Sequence, residues 1–110
     1  GRGGLDEVHR AAIDYFIERW VSLEKLLNQI TYQTAPKARG SFNINRLKRM
    51  GLLDQDTLNR IVLLRKTRNV LIHDIEIPDK DDLLRHGDEA GNLLLHIRAE
   101  ISAQDNNGEG

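Results

Sequence analysis

The 110-residue chain has no cysteine, which excludes disulfides, thiolate nucleophiles and cysteine-based metal sites. That absence fits a reducing compartment, so a cytoplasmic protein is expected. No apolar run approaches the roughly 20 residues that a membrane-spanning helix requires. Gly1-Arg2-Gly3-Gly4 lacks the apolar core of a signal peptide and reads as a remnant or the end of a linker. Proline and glycine are missing from residues 5–30, so nothing there interrupts a helix. Acidic residues are scarce in one window. Between Lys37 and Arg68 there are nine basic residues and only Asp54 and Asp56 to oppose them. The rest of the chain carries 7 basic and 15 acidic residues, so a net charge of −1 conceals a basic segment. Such a cluster suits a polyanion, or it is a solvated stripe of the kind many helices carry.

What is present is helical periodicity. With 30% charged and 39% hydrophobic residues, the composition is that of a globular chain with one modest core. Leu5, Val8, Ala12, Ile13, Phe16, Ile17, Trp20, Leu23, Leu27 and Ile30 recur in steps of three and four, predicting a long first helix. Phe16 and Trp20 are expected in the core. Residues 31–43, with Pro36 and Gly40, read as a loop. A short helix over Ile44 to Met50 should stop at Gly51, a left-handed C-terminal cap. Asp54 is the expected N-cap of a third helix with a stripe of Leu58, Ile61, Val62, Arg65, Asn69 and Ile72. Arg65 and Asn69 stand where that spacing calls for core residues. Asp79, after Pro78, should cap a last helix whose repeat is Leu83, Gly87, Ala90, Leu94, Ile97 and Ile101. Gly87, Ala90 and Gly91 would admit a close helix approach, either within the monomer or between two copies. The expected fold is an all-α antiparallel bundle of four to five helices over residues 5–102. Residues 103–110 are expected to form a disordered tail.

The third helix ends on RKTRNVLIHD, residues 65–74. Asn69 and His73 are four apart and share a helix face, about 40° round the axis. Arg68 and His73 diverge by roughly 140°, so a straight helix does not aim both at one point. A two-fold dimer would complete such a pair across its axis. Arg, Asn and His suit phosphodiester cleavage. Histidine moves protons near neutrality, and the guanidinium fork matches phosphate oxygens. Asparagine orients either partner. No metal or other cofactor is needed when an RNA 2′-hydroxyl is the nucleophile. Arg46, Lys48, Arg49, Arg60, Arg65 and Lys66 are the candidate nucleic-acid contacts on the basic segment. Bland alternatives stand beside these: a helix-ending His73 bonded to a carbonyl or to Asp74, and Arg68 paired with Asp88 or Glu89. His9, His86 and His96 have no metal-site spacing and are expected at the surface.

The segment SFNINRLKRMGLLDQDTLNRIVLLRKTRNVLIHD, residues 41–74, resembles the HEPN superfamily, and within it mannitol-operon-repressor-like proteins with an RN…HD ending. The matching motif is Arg68, polar Asn69, Val70, Leu71, Ile72 and His73. The resemblance implies a homodimer with a composite groove and, in active members, metal-independent RNA cleavage. There Arg68 would bind phosphate, His73 act as general acid and base, and Asn69 orient. A toxin or defence effector with a cognate antitoxin or regulatory partner would follow. A non-catalytic dimeric regulator or adaptor is the alternative. The tyrosine that some toxin members carry two residues after the histidine is Ile75 here, so regulation by modifying it is not supported.

Overall fold

The computed structural model describes residues 6–34, 42–73 and 76–109. They form four helices and no strand: α1 (Glu7–Thr34), α2 (Ile44–Met50), α3 (Gln55–His73) and α4 (Lys80–Glu109). None is long and apolar enough to cross a membrane. Caps set the starts. Asp6 Oδ1 accepts the His9 N–H at 2.7 Å, and Asn43 Oδ1 accepts the Arg46 N–H at 3.1 Å. Asp54 Oδ1 accepts the Thr57 N–H at 2.8 Å, as expected, and this bond holds the Asp54 carboxyl below its ordinary pKa. Gly51 adopts φ 69°, the predicted left-handed cap, and donates to the Lys48 carbonyl at 3.2 Å.

Two helices outrun the expectation. α1 continues to Thr34, into the segment read as a loop, and the buried Thr31 hydroxyl donates to the Leu27 carbonyl at 2.9 Å. A threonine satisfied inside its own helix need not end it. Pro36 and Gly40 lie outside the described residues. α4 runs to Glu109, past residue 103 where an irregular tail was expected. Gln104 donates to the Leu52 carbonyl at 3.2 Å, and extending a nucleated helix by a few residues is inexpensive.

α1 and α4 form the main contact. His9 meets the Pro78 carbonyl, Tyr15 donates to Asp88, and Gly91 faces Arg19. These partners advance together along the chain, so the two helices run parallel, which corrects the all-antiparallel expectation. α3 opposes α4, because Arg60 pairs with Glu89 and Thr67 with His86. The shared core holds Phe16, Trp20, Leu23 and Leu27 of α1, Leu58, Ile61 and Leu64 of α3, and Leu83, Ala90, Leu93 and Ile97 of α4. Leu47 of α2 and Phe42 close it, with Trp20 and Phe42 ring centroids 6.0 Å apart.

The apolar stripe of α3 is corrected too. Its buried line is Thr57, Leu58, Ile61, Leu64 and Thr67, while Val62 and Ile72 are 39% and 53% exposed. Arg65 and Asn69 therefore flank the core and do not occupy it. On α4, Leu93 is fully buried and Leu94 only partly.

The small-residue ridge is an internal contact. A Cβ on Gly87 would lie 2.5 Å from Tyr15 Cδ2 and 3.4 Å from the Phe16 backbone, whereas one on Gly91 would meet nothing closer than 3.8 Å. Gly87→Ala must displace the Tyr15 ring from its place beside Asp88 and beneath Arg19. The overpacking cost of roughly 1–3 kcal/mol exceeds the helix-propensity gain of about 1 kcal/mol. Gly91→Ala keeps that gain without the clash. Thermal unfolding should thus give a lowered Tm for Gly87→Ala and a raised one for Gly91→Ala.

Arg60 and Glu89 tie α3 to α4 through two hydrogen bonds of 2.8 and 2.6 Å. The guanidinium holds the Glu89 carboxyl below its ordinary value of 4.5. A depressed folded pKa stabilises above the unfolded value, and that stability is lost as pH falls through the folded one. Both side chains are about a third exposed, so the pair is worth roughly 1 kcal/mol. Denaturant titrations at pH 7 and below pH 4 should therefore show a smaller acid-dependent loss in Glu89→Gln than in the parent.

Candidate nucleic-acid interface on the third helix

The C-terminal half of α3 carries the motif residues. Arg68 follows Ile61 by seven positions, about 20° away round the axis, so it continues the core-facing line at the helix end. It is partly buried, and its Nη1 donates to Asn69 Oδ1 at 3.2 Å. Asn69 is partly buried and His73, the last residue of α3, is exposed. The Asn69 carbonyl oxygen is thus engaged, while its amide N–H groups have no hydrogen-bond partner among the described residues. Arg65, Asn69 and His73 succeed one another by a turn each on one flank of the helix, stepping about 6 Å along its axis. The angular separation of Arg68 from His73 persists, since α3 is α-helical through both. Asp74 and Ile75 lie outside the described residues.

The bland partners expected for Arg68 are occupied elsewhere. Glu89 belongs to Arg60, and Asp88 accepts from the Tyr15 hydroxyl, a bond that raises the Tyr15 pKa. Arg60, a candidate nucleic-acid contact, is held in that ion pair with Asp56 3.8 Å away, so its Nε and Nη2 donors are engaged by Glu89 of α4. The other candidates differ. Arg46 is partly buried beside its capping Asn43, and Lys48, Arg49 and Lys66 are exposed. Arg65 places its Cζ 4.7 Å from the centre of the Phe42 ring. Among the described residues, no carboxylate lies within 4.0 Å of Arg46, Lys48, Arg49, Arg65, Lys66 or Arg68.

Two of the histidines expected at the surface are partly buried in helix seams. His9 Nε2 bonds the Pro78 carbonyl at 2.8 Å, and His86 Nδ1 lies 3.0 Å from the Thr67 hydroxyl with its ring edge-on to Phe16. An imidazole fills a helix seam readily once one ring nitrogen finds a partner. His96 is exposed, as expected. No group of three His, Asp or Glu side chains among the described residues could hold a metal ion. Phe42 beneath Arg65 is a neighbour of the candidate residues that the sequence did not point to. The signal was an isolated aromatic before the N-cap of α2, with no periodicity to assign it a partner. No protein-family model matches the chain, and neither does a curated protein or a solved structure.

Proposed function

We propose that the chain is a HEPN-type RNA-binding protein that forms a two-fold homodimer and cleaves RNA without a metal, as a toxin or defence effector. The observation that carries this reading is the Arg68–Asn69 hydrogen bond beside an exposed His73, with no acid neutralising the arginine among the described residues. Arg68 would grip a phosphate already oriented by Asn69. His73 would take the proton of the 2′-hydroxyl as its oxygen bonds to phosphorus. The phosphorus–5′-oxygen bond breaks in return, and the His73 imidazolium gives its proton to the leaving oxygen, yielding a 2′,3′-cyclic phosphate. Since Arg68 and His73 of one helix diverge, each site draws one of them from each protomer. Arg46, Lys48, Arg49, Arg65 and Lys66 would hold the flanking strand by charge.

A second reading has its own observation. Val62 and Ile72, both substantially exposed, lie beside the Arg65–Asn69 row and would suit a protein partner. A non-catalytic dimeric regulator or adaptor of the mannitol-repressor-like kind would use that surface, with an antitoxin or regulatory protein as the other possible occupant.

The deciding experiment is cleavage of structured and unstructured RNAs in EDTA by the parent, Arg68→Ala and His73→Ala, each checked for fold and oligomeric state. The nuclease reading expects cleavage by the parent and a loss of at least about a hundredfold in either variant. An inactive parent across all the RNAs favours the regulator.

A further inference from the structure

Arg65 is seated in a way that a role through charge alone does not explain. Its guanidinium sits over Phe42, which is 2% exposed and packs in turn on the buried Trp20. An arginine normally spends its five N–H donors on carboxylates or carbonyls when partly buried. Arg65 is partly buried and makes no hydrogen bond or ion pair with another described residue. Among the described residues, its guanidinium contact is with the face of the Phe42 ring. Charge alone does not require that arrangement, because the neighbouring Lys66 is exposed and as positive. A planar cation fixed on an aromatic ring is preorganised, and guanidinium planes and aromatic rings are the surfaces on which unpaired bases stack.

Position adds to this. Arg65 precedes Asn69 by one turn on the same flank, and Asn69 is bonded to Arg68. A strand whose phosphate lies at Arg68 and Asn69 would bring a neighbouring base to Arg65. Resting on the RNA-binding reading above, we infer that Arg65, backed by Phe42, is a stacking platform for an unpaired base next to the scissile phosphate. The protein would accordingly prefer single-stranded RNA, and this position would influence which nucleotide enters.

The test is fluorescence anisotropy in EDTA at fixed salt with a labelled single-stranded 2′-O-methyl oligoribonucleotide, which lacks the internal nucleophile and cannot be cleaved, and an abasic 2′-O-methyl sugar–phosphate oligomer of equal length. The parent should bind the base-bearing strand about tenfold more tightly than the abasic one. Arg65→Lys, which keeps the charge and loses the plane, should forfeit that preference between the two strands. Circular dichroism and Tm establish that the variant is folded. If it is not, the parent's comparison of the two strands decides alone. A parent that binds RNA without regard to bases, or a folded Arg65→Lys that keeps the preference, overturns the platform and leaves the RNA reading standing. A parent that binds neither strand overturns both.

Discussion

The close approach of α1 and α4 at Gly87 is the contact on which the rest of the architecture depends. With no side chain at that position, the Tyr15 ring lies against the α4 backbone and Phe16 reaches the core beside His86. The same registration puts Tyr15 beside Asp88 and Arg19 above the Tyr15 ring, its Cζ 3.8 Å from the ring centre. It also leaves Leu83, Ala90, Leu93 and Ile97 aimed at one groove, into which α3 lays Ile61 and Leu64. Without that close packing, the apolar residues of α3 would have no continuous surface to bury against.

Once α3 is docked, its charges are sorted by geometry. Arg60 and Arg65 are five residues apart and so about 140° round the axis. Arg60 faces the acidic flank of α4 and is neutralised by Glu89. Arg65 lies where no described carboxylate reaches and settles on Phe42. One flank of α3 is thereby structural and the other remains available to an anion. This separation turns a basic window of sequence into a directed surface, and the proposed nuclease site lies at the end of that surface.

The helix boundaries were legible where a side chain caps a backbone group locally. Asp54 and Gly51 act at three-residue range, and their roles follow from residue type and position. The stripe of α3 was less legible. Val62 matches the helical spacing as well as Leu64 does, and only the direction from which α1 and α4 arrive decides between them. His86 and the Gly87 ridge depended on the same unknown, since their partners Thr67, Phe16 and Tyr15 are distant in sequence. The motif residues Arg68, Asn69 and His73 could be picked out by type and spacing. Their state could not: the exposure of His73 and the aromatic seat beneath Arg65 arise from tertiary placement, and the Arg68–Asn69 bond, though between chain neighbours, depends on rotamers that residue type leaves open.

The most direct measurement of the central claim is subunit complementation. Arg68→Ala and His73→Ala proteins, each inactive alone, are mixed, allowed to exchange protomers, and assayed on RNA in EDTA. If a site takes Arg68 from one protomer and His73 from its partner, each mixed dimer holds one complete site, and the account predicts that cleavage returns. A mixture that exchanges protomers and stays as inactive as its components would contradict a composite site.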